Sequence, residues 1–162
     1  MSHEPVHVEA SAERVRAFLA AHGLEGGIVR FGQSTRTAAL AAEAMGCDLG
    51  QIAKSLVFVV DGEPAVVLVA GDRKGDAAAI AREMGGRKAR FADEETVLAA
   101  TGYPAGAVSP FDLPGSVTVL VDDSLARFET VYPAAGTAES VVAIAPPVLV
   151  ELTSGRFAPV AR

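Results

Sequence analysis

The sequence predicts a mixed α/β fold, in which a curled, barrel-like sheet is surrounded by helices. Segments with strand and helix patterns alternate along the 162 residues, and no tract resembles a linker between domains. Several connections between the predicted strands are too short for parallel crossovers, so the sheet should contain antiparallel pairs as well. We therefore expect a single domain over residues 1–162, with a mixed sheet instead of a doubly wound parallel one.

Caps and hydrophobic periodicity predict the elements of the first half of the chain. Ser11 is a suitable N-cap, and Gly46 is a suitable C-terminal stop. Two apolar runs with a turn of Asp, Gly and Pro between them indicate a β-hairpin. The predicted elements are a helix over residues 11–20, a strand over 26–31, a helix over 37–45 and hairpin strands over 51–60 and 65–70.

The second half is predicted in the same way, with Asp72 as the N-cap of the third helix and Gly85 at its end. A loop rich in Gly and Pro over residues 102–115 precedes the C-terminal strands. The predicted elements are helices over 72–84 and 93–100, strands over 88–91, 117–121, 129–132 and 140–144, a helix from Pro146 to near Gly155, and a strand over 156–160.

The composition restricts the class of protein. No stretch approaches the roughly 18–20 unbroken apolar residues of a membrane span, and the N-terminus lacks a signal-peptide pattern. The single cysteine, Cys47, excludes an internal disulfide framework and fits a reducing compartment. A net charge of −6 is unfavourable for gripping nucleic acid along its backbone. We expect a cytoplasmic protein without membrane contact, which would meet a polynucleotide at a small local site or with the help of a partner.

The few histidine and cysteine residues argue against several kinds of catalytic site. His3, His7 and His22 all precede the second predicted helix. None of them lies near the Gly/Pro loop or Lys54 in the sequence, so a Ser-His-Asp or Cys-His site is not expected. One cysteine and three scattered histidines also show no metal-ligand spacing. We therefore expect no metal and no cofactor. The cations in residues 72–74 are most simply part of a solvated helix start, with contact to a phosphate as the alternative.

Lys54 opens the most apolar stretch of the chain. On a strand it points to the same side as Leu56 and Phe58, while the opposite face also carries apolar residues. An ammonium aimed at a core is costly unless it meets an anion or reaches water at the mouth of a cavity. Lys54 is therefore a candidate for binding an anionic ligand. The alternative is a lysine at the strand end whose ammonium extends into solvent.

The second candidate is the loop over residues 106–110, with the sequence Gly106-Ala107-Val108-Ser109-Pro110. A loop of this composition can turn successive backbone N–H groups toward one point. Such donors stabilise the oxyanion that forms when an ester is hydrolysed. The alternative is an ordinary connecting loop, in which glycine and proline are the usual residues.

Three segments, in their order and spacing, resemble one known family. They are the Thr-rich segment 34–37, the lysine-led strand 52–58 and the GxxxP pattern of Gly106 and Pro110. Together they are similar to the YbaK/ProX family of editing domains, which is related to the insertion of bacterial prolyl-tRNA synthetase. The resemblance covers about residues 31–160.

This resemblance implies the family's barrel-like fold and the hydrolysis of mischarged aminoacyl-tRNA. It implies that Lys54 holds the phosphate or ribose of the terminal nucleotide, and that the Gly106 loop lines the aminoacyl pocket and helps to place water. A protein nucleophile or metal is not implied, because the 2′-hydroxyl of the terminal adenosine assists. The candidate substrate-binding residues are Ser34, Thr35, Ser55, Ala107, Val108, Ser109 and Pro110, together with Asp122, which follows the predicted strand 117–121.

Two of these assignments leave alternatives open. Asp122 could bind the α-amino group of the substrate, or it could cap the segment that starts at Ser124. Ser55 stands where some subfamilies carry Asn, and the amino acid removed differs between subfamilies. The small, mostly apolar wall of residues 107–109 suits Ala, Cys or Ser.

The expected function is therefore trans-editing of mischarged tRNA, most simply tRNA for proline. The expected partners are the acceptor end of that tRNA and either prolyl-tRNA synthetase or an elongation factor. Two alternatives have no catalysis. One is a module that binds a nucleotide or an aminoacyl-adenylate-like ligand in the same cavity, and the other is a structural or assembly protein that shares the fold.

Overall fold

The computed structural model describes residues 4–32 and 37–162. In this part of the chain the α-helices are α1 (Glu4–Ala21), α2 (Ala38–Met45), α3 (Ala77–Glu83), α4 (Glu94–Thr101) and α5 (Pro146–Thr153). The β-strands are β1 (Ile28–Arg30), β2 (Ile52–Val60), β3 (Glu63–Ala70), β4 (Ala89–Phe91), β5 (Thr118–Asp122), β6 (Tyr132–Pro133), β7 (Ser140–Val142) and β8 (Arg156–Ala158). Short 3₁₀ helices lie at Glu25–Gly27, Leu49–Gln51 and Asp123–Arg127.

The main sheet has the strand order β4-β2-β3-β5-β8, and β6 pairs with the outer edge of β2. β2 and β3 form the predicted antiparallel hairpin. Its two-residue turn requires positive φ at both positions, and Asp61 and Gly62 have φ of 49° and 88°. β3 pairs with β5, and β5 with β8, in parallel. The prediction of a mixed α/β fold is therefore confirmed.

The barrel-like closure expected from the sequence is wrong. β1 and β7 form a separate two-stranded sheet, and the main sheet stays open between β4 and β8. Closure needs a hydrogen-bonded ladder that continues around the ring. Here β4 and β8 have three residues each and β6 has two, so the pairing stops at both edges.

Both faces of the main sheet are buried, which explains why its central strands are almost continuously apolar. In β3, Val66 and Leu68 face one side while Val67 and Val69 face the other, and all four are fully buried. α3 covers the second side through Ile80. α1, α5 and the loop between α4 and β5 cover the first side.

The third helix begins later than the sequence predicted. Its N-cap is Asp76, not Asp72, because the Asp76 side chain accepts a hydrogen bond from an N–H in the first turn of α3. Asp72 lies in the turn after β3, where its carboxylate pairs with Arg127. Residues 72–74 are therefore a turn held by tertiary contacts, not the start of a helix.

The first helix is longer than the sequence predicted, because it begins at Glu4 instead of Ser11. Proline is compatible with the first turn of a helix, so Pro5 does not prevent this early start. α1 has 18 residues. Neither it nor any other helix within the described residues combines the length and the apolar character that crossing a bilayer requires.

Asp122 ends β5 and is buried, with 4% of its surface exposed. One carboxylate oxygen accepts a hydrogen bond from the Ser124 N–H at 3.0 Å, and the other accepts one from the Val160 N–H at 2.9 Å. Asp122 thus caps the 3₁₀ helix that follows β5 and also ties it to the C-terminal segment.

Replacing Asp122 by alanine is expected to lower the free energy of unfolding by about 2–4 kcal/mol. A cap is worth about 1 kcal/mol, and a buried N–H left without an acceptor costs about 1–3 kcal/mol. Urea denaturation measures the change. The matched control is Asp93→Ala, which removes the exposed cap of α4 and should cost about 1 kcal/mol. Equal losses in the two variants would contradict the buried role of Asp122.

Candidate active site

A cavity of about 340 Å³ opens at the outer edge of β2. On this edge β6 pairs with Ile52 and Ala53, and β4 pairs from Phe58 to Val60. Among the described residues, therefore, no strand lies beside residues 54–56 on this edge, and the cavity occupies this gap. Its volume lies at the lower end of the range for small-ligand sites.

Four segments that are distant in sequence form the walls of the cavity. The lining residues are Ile52, Ala53, Lys54, Ser55 and Leu56 from β2, Thr37, Ala38 and Ala41 from the start of α2, Gly106 and Val108 from the Gly/Pro loop, and Tyr132, Ala134, Thr137, Ala138, Ser140 and Val141 from the segment around β6 and β7. Within this set Lys54 carries the only charge, and none is His, Cys, Asp or Glu. The described residues also contain no cluster of such side chains that could hold a metal ion.

Lys54 is half-buried on β2 and is held at the cavity by the turn after β3. Its Nζ donates a hydrogen bond to the Arg73 carbonyl oxygen at 2.6 Å. Burial lowers the pKa of the Lys54 ammonium, while the nearby Asp72 carboxylate opposes this shift and Lys74 adds to it. An ammonium has three donors, so the contact with Arg73 leaves two for a ligand.

An ion pair holds the turn that contacts Lys54. Arg127 donates two hydrogen bonds to the Asp72 carboxylate, at 2.9 and 3.2 Å. These bonds are the main reason why the pKa of Asp72 lies below its usual range. Gly71 allows the backbone of this turn to lie close to the 3₁₀ helix at Leu49–Gln51, since a Cβ at position 71 would lie 2.3 Å from the Leu49 carbonyl oxygen. The pair thus fixes the residue directly before Arg73, whose carbonyl binds Lys54.

The Gly106 loop is anchored by a buried tyrosine and by α1. The Tyr103 hydroxyl donates a hydrogen bond to the Phe111 carbonyl oxygen at 2.6 Å, and burial raises the pKa of Tyr103 to about 12. Arg14 lies over the Tyr103 ring at 4.2 Å and pairs with Asp112 at 3.1 Å. These contacts hold the loop on both sides of Gly106.

Gly106 itself has φ of +87°, in the left-handed region, and a Cβ there would meet no atom within 4 Å. The Ala107 N–H donates to the Pro104 carbonyl oxygen at 3.1 Å. By contrast, no hydrogen bond among the described residues uses the N–H of Gly106 or Val108. The Ser109 N–H is likewise unused among these residues, but of the three only Gly106 and Val108 line the cavity, so their N–H groups are the candidate donors for a ligand.

The structure brings together four of the residues that the sequence analysis selected. Lys54, Ser55, Gly106 and Val108 all line the cavity. The Ser55 Oγ is buried and makes no hydrogen bond with any residue that the structure describes. Since a buried hydroxyl without a partner is costly, it is a candidate donor or acceptor for a ligand.

The other selected residues do not line this cavity. Ala107 is buried behind the wall, and the Ser109 Oγ accepts a hydrogen bond from the Phe111 N–H at 3.4 Å. Pro110 borders a second cavity. Asp122 is buried between β5 and the C-terminal segment, in the contacts described above. Ser34 and Thr35 lie outside the described residues.

The sequence analysis did not find the wall formed by residues 132–141. Within it, the Ser140 Oγ and the Thr137 Oγ1 lie 2.7 Å apart and share a hydrogen bond. Tyr132 reaches the cavity because β6 pairs in parallel with the first residues of β2. In the sequence, the only sign of this wall is the pair of hydroxyl residues Thr137 and Ser140, three positions apart. Such pairs are too common in proteins to identify a binding site.

Comparisons with known proteins identify the family of the chain. Residues 33–152 match the aminoacyl-tRNA editing domain. The uncharacterized protein YwhH of Bacillus subtilis is 38% identical over 144 residues, which are 88% of this chain and 91% of that protein. A candidate Cys-tRNA(Pro)/Cys-tRNA(Cys) deacylase, EbsC of Enterococcus faecalis, is 27% identical over 118 residues, 72% of each chain.

A solved structure shows the same relationship over almost the whole chain. The crystal structure of a candidate trans-editing enzyme for prolyl-tRNA synthetase has a TM-score of 0.86 and 34% sequence identity, over 94% of this chain and 97% of that chain. The family match covers more than half of the sequence and includes the Lys54 strand and the Gly106 loop. The chain therefore belongs to the family of aminoacyl-tRNA editing domains, as the YbaK/ProX resemblance predicted.

Proposed function

We propose that the protein hydrolyses mischarged aminoacyl-tRNA, cleaving the ester between a small wrong amino acid and the 3′-terminal adenosine of tRNA for proline. The observation that carries this proposal is the cavity where Lys54, Ser55 and Gly106 meet. An aminoacyl ester is already activated, so positioning and charge stabilisation suffice without a protein nucleophile. The names of EbsC and of the related trans-editing structure support the same reaction.

In the proposed reaction a water molecule attacks the carbonyl carbon of the ester. The electron pair of the C=O bond moves to the oxygen, and the N–H groups of Gly106 and Val108 stabilise this oxyanion. When the tetrahedral intermediate collapses, the bond to the ribose 3′ oxygen breaks and that oxygen takes up the proton released by the water. Because the described lining residues include no carboxylate or imidazole, we assign the proton transfer to the neighbouring 2′-hydroxyl.

Lys54 would bind the phosphate or ribose of the terminal nucleotide and orient it toward the Gly106 loop. A cation beside a phosphate supplies binding without acting as the base. The strand and the Arg73 carbonyl hold the ammonium in one place. The ester carbonyl is thereby positioned at the loop donors before water attacks.

The walls of the cavity favour a small amino acid. Val108, Ala134 and Val141 supply apolar surface, and the Ser140–Thr137 pair supplies hydroxyl groups. A pocket of this kind discriminates by only about 1–3 kcal/mol per methylene group. We therefore propose Cys, Ala or Ser as the residue removed.

We propose that the chain acts as a single domain in the cytoplasm, in trans to prolyl-tRNA synthetase. A net charge of −6 does not suit a broad grip on the tRNA backbone. The contact would be limited to the acceptor end, which the synthetase or an elongation factor could present.

The test is a deacylation assay on tRNA for proline charged separately with Ala, Cys, Ser and Pro. We expect multiple turnover of one of the three mischarged species and no turnover of the Pro-charged species. A protein that binds a mischarged tRNA and protects it from hydrolysis would be a binding module, which would contradict the proposed reaction. Spontaneous hydrolysis without protein is the baseline.

Replacing Asp72 by asparagine should shift the alkaline limb of the pH–rate profile toward lower pH. The Asp72 carboxylate raises the pKa of Lys54, so its loss lowers that pKa and the ammonium deprotonates earlier. Glu83→Gln is a matched control, because it removes the ion pair with Arg156 at 2.8 Å and its side chain is 28% exposed, against 31% for Asp72. Unchanged profiles in both variants would show that Asp72 does not support Lys54.

A further inference from the structure

Phe91, at the end of the edge strand β4, is unusually exposed for its size. It keeps 62% of its surface exposed, whereas its cross-strand partner Phe58 keeps 1%. The two ring centroids lie 4.3 Å apart and the ring planes differ by 30°. The buried ring therefore supports the Phe91 ring from one side and leaves much of it open to solvent.

The strand register places Phe91 beside the cavity. Phe58 and Phe91 are directly opposite one another, so both point to the face that also carries Leu56 and Lys54. Leu56 lines the cavity, and as the diagonal neighbour of Phe91 it lies roughly 7–8 Å away. β4 ends at Phe91, so the exposed ring borders the gap in which the cavity opens.

Two cations lie on the same face. In the turn after β3, a Cβ at Gly75 would lie 3.2 Å from Leu56 and 3.3 Å from the Phe58 ring. Arg73 and Lys74, directly before Gly75, are exposed. Asp72 in this turn pairs with Arg127 at 2.9 Å and with Arg73 at the longer distance of 3.8 Å, and Asp76 caps α3. A chain with a net charge of −6 thus carries an aromatic ring and two cations together at the mouth of its cavity.

We propose that Phe91, Arg73 and Lys74, which we call the mouth platform, bind the unpaired 3′ end of the tRNA outside the cavity. One base stacks on Phe91, and the two cations contact the adjacent phosphates. Proteins that bind single-stranded nucleic acid combine these same two features, a stacking ring and a basic track. This inference rests on the proposed function and adds the surface that holds the nucleotides before the terminal adenosine.

An exposed aromatic ring could also bind a protein partner instead of RNA. Exposed apolar residues are ordinary when they occur singly. Here the cations beside the ring match an anionic ligand, and the adjoining cavity would take the end of the same strand. The mouth platform is therefore assigned to RNA, and the test below distinguishes the two occupants.

The experiment uses Phe91→Trp, because the chain contains no tryptophan, and the fluorescence of the one tryptophan in the variant, excited apart from that of the two tyrosines, reports on the mouth platform. The probe is a single-stranded RNA oligonucleotide that has the acceptor-end sequence of tRNA and carries no amino acid. Stacking of a base should quench the fluorescence in a saturable way. Phe157→Trp is the control, since Phe157 lies on β8 and is 36% exposed; its fluorescence should not change.

Two further variants and two other probes, a blunt RNA duplex and prolyl-tRNA synthetase, complete the test. Phe91→Ala should weaken RNA binding roughly 5- to 100-fold, and changing Arg73 and Lys74 to serine should reduce its salt dependence. Equal quenching by a blunt RNA duplex, no quenching by either RNA, or quenching by prolyl-tRNA synthetase alone would overturn the proposal. Because the probe carries no amino acid, quenching without deacylation would refute only the proposed function, and deacylation without quenching would refute only the mouth platform.

Discussion

Deacylation is expected to fall at least about 100-fold in kcat/KM when Lys54 is replaced by alanine, while the protein remains folded. A hydrogen bond to a charged group is worth up to about 3 kcal/mol, and each 1.4 kcal/mol corresponds to roughly a tenfold change in rate. Lys54 is the only charged residue among the described walls of the cavity, so none of its described neighbours there can replace it. Steady-state kinetics and thermal unfolding of the variant measure the two effects.

Lys88→Ala is the control for this prediction, because Lys88 is an exposed lysine just before β4. It should leave kcat/KM unchanged. Normal turnover by a well-folded Lys54→Ala variant would remove this lysine from the mechanism. Because burial lowers the pKa of Lys54, the wild type should also lose activity at a lower pH than an exposed lysine would allow.

Replacing Gly106 by valine is expected to abolish deacylation by two effects. Its φ of +87° is strained for a β-branched residue, which costs about 1–3 kcal/mol. The space around its Cα is open and belongs to the cavity, so the new side chain would occupy the place proposed for the ester. Activity and urea denaturation together measure both effects.

Gly62→Val separates occlusion from strain. Gly62 has φ of +88° and nothing within 4 Å of its Cβ position, but it lies in the β2–β3 turn. Both variants should lose similar stability, and only Gly106→Val should lose activity. Full activity in a folded Gly106→Val protein would exclude the loop from the site.

The order of helices and strands could be predicted because local signals determine it. Thr37 caps α2, Gly46 ends it in the left-handed conformation, and Asp93 caps α4. The β2–β3 hairpin follows from its turn residues and two apolar runs. Each of these signals acts within a few residues, so one sequence contains all the information needed.

The start of α3 shows where local signals fail. Asp72 and Asp76 are both suitable N-caps in the sequence. The choice depends on Arg127, which lies 55 residues away and binds the Asp72 carboxylate. The prediction of a closed sheet failed for a similar reason, since closure depends on the lengths of the edge strands β4, β6 and β8, whose partners are distant in sequence.

The sequence by itself selected Lys54 and Gly106 as candidates, because an ammonium on an apolar strand is costly and because the lysine-led strand and the GxxxP loop together resemble the editing family. Only the tertiary structure decided what surrounds them. The residues at 132–141 and the Asp72–Arg127 pair reach the site through strand register and long-range contacts, and strand register sets the exposed Phe91 ring against Phe58. No spacing along the chain encodes such neighbours, because they are set by which surfaces pack together.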